Sequence, residues 1–166
     1  MSPDTSIVRL AQPADEDALI ALCRVHYDEE AMRDVGGAPF PFSEDRVRAM
    51  VQRSFMQERS QDQSFCGVIG TAQDLQASIY LMRSGMWYSE KPILKEIFAI
   101  VAPAHRKTQH ARALSAFSKI IAACLEMKLV AEVTAQRIEA KERFYARSYG
   151  ADRFGAFYAF DPTPGA

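Results

Sequence analysis

The stretch from Ile97 to Leu125 contains no acidic residue, in a chain whose overall net charge is only −1. It does contain four basic side chains: Arg106, Lys107, Arg112 and Lys119. An anion such as a phosphate is therefore the ligand that this stretch favours. For the charges alone, an ordinary turn with solvated cations is the simpler interpretation.

The elements around these cations strengthen the case for an anion site. Residues Ile93 to Val101 are apolar and rich in β-branched and aromatic types, which predicts a largely buried strand, and Pro103 should end it. Apolar residues then recur at helical spacing: Ala111, Leu114, Phe117, Ile121 and Leu125. The unpaired amides of the first helical turn and the helix dipole form a cradle for phosphate.

The segment from Val101 to Ala111, VAPAHRKTQHA, resembles the acyl-CoA motif of the GNAT superfamily of N-acetyltransferases, V-x-P-x-x-R-x-x-G-x-G/A. Valine, proline, arginine and the closing alanine fit the motif. The resemblance implies that acetyl-CoA is the acyl donor. It also implies a set of cofactor-binding residues: Ile100, Val101, Arg106, Lys107, Gln109, His110, Ala111 and Arg112. Ile100 and Val101 would position the thioester carbonyl through their backbone.

Gln109 is the one departure from the motif, because it stands where the family has its first glycine. Glycine at that place lets the backbone approach the pyrophosphate and tolerates a positive φ. A glutamine there either crowds the cradle or directs its side chain outward.

Transfer of an acetyl group to an amine needs a base and a proton for the departing thiolate. Glu96 is our candidate base, because it lies inside an otherwise apolar strand where burial raises the pKa of a carboxyl group toward useful values. An equally weighted alternative is that Glu96 pairs with Lys95 or another cation at the sheet surface. Glu132 on the next predicted strand is a weaker candidate, and a chain of waters could also serve as the base.

Tyr145 is our candidate acid. The segment from Arg143 to Ala151 resembles the late helix of the family, whose tyrosine approaches the CoA sulfur and can protonate the thiolate. The asparagine usual near the start of that helix is absent, with Ile138 at about its place, and Gly150 falls one residue late. Tyr149 could therefore take the role instead, and for either ring simple core packing is an alternative.

The hydrophobic pattern predicts elements in the order β-α-α-β-β-β-α-β-α-β. The strands are expected at 7–10, 64–70, 76–83, 93–101, 129–134 and 154–160, with turns at Gln73-Asp74 and Ser84-Gly85. The helices are expected from Asp15, from an N-cap at Ser43 to about Gln57–Ser60, over 111–125 and over 136–148. This order resembles the GNAT arrangement, an α/β (α+β) fold in which a mixed, mostly antiparallel sheet has helices on both faces.

Composition limits the function further. At 166 residues and 48% hydrophobic, the chain should form a single domain over residues 1–166. Twenty basic residues nearly balance 21 acidic ones, which argues against nucleic acid or a membrane as partner. Three widely spaced cysteines without a metal-type spacing and an N-terminus without a long apolar run indicate the cytoplasm. Three dispersed histidines predict no metal site.

We therefore expect an enzyme that moves the acetyl group of acetyl-CoA to a primary amine. The acceptor is a small molecule or a protein, and its identity stays open, as does the formation of a homodimer. The rival hypothesis is a non-catalytic acyl-CoA-binding or protein-interaction module of the same fold, which Gln109 and the altered late helix motivate.

Overall fold

A computed structural model describes residues 7–33, 41–56, 63–86, 89–131 and 138–149. The described elements, in chain order, are β1 (Arg9–Leu10), α1 (Glu16–Arg33), α2 (Glu44–Arg53), β2 (Ser64–Thr71), β3 (Asp74–Met86), β4 (Ser89–Val101), α3 (His110–Cys124), β5 (Lys128–Ala131) and α4 (Ile138–Tyr149). Short 3₁₀ turns at Pro13–Asp15 and Pro103–His105 precede α1 and α3. Among the described helices, none is both long enough and apolar enough to cross a membrane.

The five strands form one sheet in the order β1-β2-β3-β4-β5. The first three pairings are antiparallel, and only β4 and β5 run parallel. This sheet confirms the predicted mixed, mostly antiparallel architecture.

Helices cover both faces of the sheet, as predicted. On one face, α1 and α2 bury Leu19 and Val51 against Cys66, Val68 and Tyr80. On the other face, α3 buries Ala113, Leu114 and Ala122 against apolar residues of the sheet: Ile69, Ala77, Ile79, Leu81 and Leu94. α4 packs against α3. Alternation along β3 explains the division, because successive side chains of a strand point to opposite faces.

Polar contacts fix α1 against the sheet and against α2. The Arg9 guanidinium donates to both carboxylate oxygens of Asp15 at 2.7 Å, and this hydrogen-bonded cation holds the pKa of Asp15 below its ordinary value. Arg48 of α2 bonds Glu16 at 2.5 Å and Asp17 at 3.1 Å at the start of α1. These contacts hold the start of α1 in place and so fix its direction.

The sequence-based boundaries need several corrections. Ser84-Gly85 is not a turn: both residues lie inside β3, where the pairing register shifts between Ser84 and Met86, and a glycine inside a strand commonly marks such a bulge. Of the predicted first strand, only Arg9–Leu10 pairs with β2. α2 ends at Arg53, where Ser54 begins a turn, and so is shorter than predicted. The Ser43 cap is confirmed, since its side chain accepts from the Arg46 N–H. The predicted strand at 154–160 lies outside the described residues.

Candidate active site

Glu96 is placed by a bulge in β4. Tyr80 pairs with Phe98 while the next residue of β3, Leu81, pairs with Glu96, so Ile97 is an extra residue on β4. Ile97 and Phe98 consequently both pack on the α1–α2 face, whereas Glu96 shares the α3 face with its cross-strand neighbour Leu81. Glu96 is only 2% exposed. The carboxyl group predicted to be buried in this strand is therefore buried.

Tyr145 of α4 reaches this carboxyl group. Its hydroxyl donates a hydrogen bond to Glu96 Oε1, although the two residues are 49 positions apart in the chain. The Tyr145 ring is partly buried and lies edge-on to Phe144, with ring centroids 5.7 Å apart. The structure thus brings the candidate base and the candidate acid into direct contact.

The pair lies where the parallel pairing of β4 and β5 ends in the described part of the chain. β5 pairs with β4 from Ile93 to Glu96, and its last described residue, Ala131, is opposite Glu96. Residues 98–101 of β4 pair with β3 on one side and have no described partner strand on the other. Ile100 is buried at 4% exposure, and Val101 is partly buried. These are the two residues predicted to position a thioester with their backbone.

The predicted cradle follows directly after β4. Gln109 is the N-cap of α3, and His110, Ala111 and Arg112 form its first turn. The His110 N–H donates to Thr108 Oγ1 at 3.2 Å, whereas the N–H groups of Ala111 and Arg112 have no acceptor among the described residues. Lys107 and Arg112 are exposed. Free amides and cations at a helix N-terminus are the donor set that phosphate prefers.

Gln109 adopts this position without strain. Its φ of −82° is an ordinary value for any residue, so the conformation that would demand glycine does not occur here. Its side-chain Oε1 accepts from Arg112 Nη1 at 3.2 Å, and both side chains are exposed. The glutamine therefore directs its side chain along the surface of the turn toward Arg112.

His110 faces the sheet rather than solvent. Its Nε2 lies 2.9 Å from Gln76 Oε1 of β3, and its ring stacks on that of His105 with centroids 5.6 Å apart. Burial, and secondarily the nearby His105, lowers the pKa of His110 below its ordinary value. Its Nδ1 is buried without a hydrogen-bond partner among the described residues. His110 is thus built into the junction of α3 and the sheet.

Arg106 contacts a residue that sequence reasoning did not assign to the cradle. Its Nε donates to the carbonyl of Val101 at 3.3 Å, and its Nη2 forms an ion pair with the carboxylate of Glu29 on α1. Nothing in the sequence pattern links these two residues, which are 77 positions apart.

Two alternative catalytic residues were also predicted. Glu132 lies outside the described residues, and Tyr149 is the last residue of α4.

Comparisons with known proteins show the fold. A possible acetyltransferase from Clostridium difficile 630 is similar at a TM-score of 0.65 and 16% identity, over 93% of this chain and 95% of that one. An aminoglycoside antibiotic 6'-N-acetyltransferase from Acinetobacter haemolyticus is similar at a TM-score of 0.63 and 14% identity, over 94% and 97% of the two chains. Glucosamine-6-phosphate N-acetyltransferase from Arabidopsis thaliana is similar at a TM-score of 0.65 and 10% identity, over 92% of this chain and 96% of that one.

The chain therefore has the fold of the GNAT superfamily of acetyltransferases, as its sequence predicted. No protein-family model matches the sequence, and a search of curated proteins finds no match.

Proposed function

We propose that this protein is an N-acetyltransferase that uses acetyl-CoA as acyl donor and a primary amine as acceptor. The hydrogen bond between Tyr145 and Glu96, at the end of the described pairing of β4 with β5, is the observation that supports the proposal most strongly. Acyl transfer from CoA requires a base and an acid, which are here in direct contact, and a site for the CoA phosphates, for which the cation-rich turn after β4 is the candidate. The GNAT-type fold is consistent with this reaction.

The residues of the turn fit a CoA pyrophosphate. The N–H groups of Ala111 and Arg112, which have no acceptor among the residues that the structure describes, would donate to one phosphate, and the exposed side chains of Lys107 and Arg112 would neutralise it. Arg106 would join them once it leaves Glu29. The edge of β4 at Ile100 and Val101, which has no partner strand on its β5 side in the described part of the chain, would receive the acyl end.

The amine nitrogen forms a bond to the acetyl carbon of the thioester, the carbon–sulfur bond breaks, and the departing sulfur needs a proton. Glu96 takes up the proton that the attacking amine loses, and Tyr145 gives its hydroxyl proton to the sulfur. The hydrogen bond between the two side chains then returns the proton from Glu96 to the Tyr145 oxygen. The proton count closes within the pair, because one proton enters at Glu96 and one leaves from Tyr145.

The charges near the site do not restrict the acceptor amine to one chemical class. The candidates are a small-molecule amine and the amine of a protein lysine or N-terminus. The named relatives in structure acetylate an aminoglycoside antibiotic and glucosamine-6-phosphate, which makes small amino sugars a reasonable first panel.

Thermal shift and thiol release together test the proposal. Acetyl-CoA at one hundred times its dissociation constant should stabilise the fold by roughly 2.7 kcal/mol. With a panel of amino sugars, polyamines and lysine peptides, the protein should release free thiol from acetyl-CoA, and Glu96→Gln should not. Stabilisation without turnover over the whole panel would instead support the acyl-CoA-binding module, and absence of stabilisation would contradict both hypotheses.

A further inference from the structure

The ion pair between Arg106 and Glu29 links the basic turn to a distant helix. Arg106 lies directly after the Pro103–His105 turn, and Glu29 lies in the second half of α1. The two side chains are 39% and 25% exposed. Since the guanidinium also donates to the Val101 carbonyl, Arg106 is held between the end of β4 and α1.

Arg106 differs in this respect from the other cations of the turn. The chain from Ile97 to Leu125 carries no acidic residue, so any carboxylate partner must come from another element. Arg112 donates to the neutral amide of Gln109, and neither Arg112 nor Lys107 forms an ion pair with a described carboxylate. Arg106 is thus the cation of this turn whose charge is already matched by a carboxylate in the described structure.

A carboxylate and a phosphate bind a guanidinium in the same way. Each presents anionic oxygens to its planar fork of N–H donors. A phosphate bound at the N-terminus of α3 would therefore compete with Glu29 for Arg106. The negative charge of Glu29 would also repel that phosphate, because both anions would lie close to the same guanidinium.

We infer that Glu29 is an intramolecular competitor of the CoA pyrophosphate. In the free protein it occupies the anion position on Arg106, and acetyl-CoA binding transfers Arg106 from Glu29 to phosphate. Cofactor binding then breaks a contact between the basic turn and α1, so the two elements are coupled. This inference rests on the proposed use of acetyl-CoA.

Isothermal titration with CoA measures the competition directly. Glu29→Gln keeps the shape of the side chain and removes its charge, so CoA should bind about twofold to fivefold more tightly, the range expected for release of a partly exposed ion pair. Asp28→Asn is the matched control. It removes the same charge one residue earlier on α1, from an exposed side chain with no ion pair to the turn in the described structure.

A double-mutant cycle assigns the effect to the pair. Arg106→Gln should weaken CoA binding, and adding Glu29→Gln in that background should give clearly less gain than in the wild type. Circular dichroism and thermal melts confirm that each variant is folded. Unchanged or weaker CoA binding in Glu29→Gln, or an equal gain in Asp28→Asn, would overturn the inference.

Titration with inorganic pyrophosphate separates this inference from the proposed function. If pyrophosphate binds more tightly to Glu29→Gln while CoA binds to neither protein, Glu29 competes with pyrophosphate for Arg106, but the proposed acyl donor is wrong and the competition does not involve CoA. If the wild type binds CoA and Glu29→Gln shows no gain with either ligand, the competition fails and the proposed function stands. If neither ligand binds either protein, both proposals fail.

Discussion

The Glu96–Tyr145 pair and the basic turn both use the segment from β4 to α3, yet they are built in opposite ways. Glu96 is 2% exposed and meets Tyr145 across 49 positions of sequence. The turn from Arg106 to Arg112 is largely exposed, and most of its contacts join residues a few positions apart. The first part depends on the packing of α4 against the rest of the molecule, whereas the second depends on local charge.

This difference determines how each part responds to change. A hydrogen bond to a buried carboxylate is poorly screened. When one partner is removed, water cannot take its place, and the other polar group is left without a hydrogen bond. An exposed cation is surrounded by water and salt, so removing it has a smaller effect that ionic strength can offset. Substitutions at the buried pair should therefore act on turnover, and substitutions at the turn should act on cofactor affinity.

The largest effect should come from Tyr145→Phe. The change removes only the hydroxyl, and turnover should fall about 10²- to 10⁴-fold, the usual range for a general acid. The dissociation constant of acetyl-CoA should stay nearly unchanged, because the lost interaction matters chiefly in the transition state. Steady-state kinetics with an amine from the panel, together with calorimetry, measure the two effects separately.

Tyr149→Phe is the matched control for this prediction, since it makes the same change four residues further along α4. Full activity in Tyr145→Phe with loss in Tyr149→Phe would move the acid role to Tyr149. Full activity in both variants would leave water as the proton donor and remove the functional distinction between the buried pair and the turn.

A smaller effect is expected at the exposed cations. Lys107→Gln and Arg112→Gln should each weaken acetyl-CoA binding about fivefold at low salt, which corresponds to roughly 1 kcal/mol, with turnover at saturating cofactor little changed. Each should also reduce the dependence of affinity on salt concentration. Calorimetric titrations at several salt concentrations provide the measurement.

Lys91→Gln serves as the control, because Lys91 is an exposed cation on β4 far along the chain from the turn. An equal loss of affinity in Lys91→Gln would mean that only net charge matters and that the turn is no binding site.

Features that depend on local sequence could be predicted. The strand, the proline that ends it and the basic helix start at 93–112 are local patterns, and the structure shows each of them within a few residues. The apolar neighbours of Glu96 also predicted its burial, but pairing with a cation at the sheet surface was an equally weighted alternative, and the 2% exposure decides for burial. In the part of the chain that the structure describes, five strands and four helices follow the predicted order, because the hydrophobic period alone distinguishes most of them.

Contacts between distant elements could not be predicted in the same way. The Glu29–Arg106 pair and the His110–Gln76 hydrogen bond join residues on different elements, and no spacing rule connects them. The bulge at Ile97 arises from the register between two strands rather than from a signal in either strand. Ser84-Gly85 looked like a turn for a related reason: glycine marks bulges as well as turns, and only pairing decides which one is present.

A pH effect should distinguish His110 from the exposed side chains around it. Because the pKa of His110 is lowered in the folded protein, the unfolded chain binds a proton first as pH falls, and this group destabilises the fold progressively below about pH 6.5. Urea unfolding at pH 7.5 and pH 5.5 should show a smaller loss of stability in His110→Gln than in the wild type. His105→Gln should keep most of the loss, since burial is the larger cause and His105 the smaller one.

An identical pH dependence in His110→Gln and the wild type would show that His110 is as solvated as the rest of the turn. If His105→Gln abolishes the pH dependence as completely as His110→Gln does, charge repulsion by His105, rather than burial against Gln76, is the main cause of the lowered pKa of His110.

The smallest effect should come from Gln109→Gly, which restores the glycine of the family motif. The φ of −82° means that glycine relieves no strain here, and glycine is acceptable at an N-cap, so stability should change by less than about 0.5 kcal/mol. CoA should bind about twofold more weakly, because Arg112 loses the Oε1 acceptor that orients it and gains side-chain freedom. Gln109→Ala separates the two causes, since it removes the amide but keeps a Cβ. Equal weakening in both variants assigns the effect to the lost contact with Arg112, whereas tighter binding in Gln109→Gly alone would show that the Cβ and side chain of residue 109 hold the pyrophosphate away from the backbone.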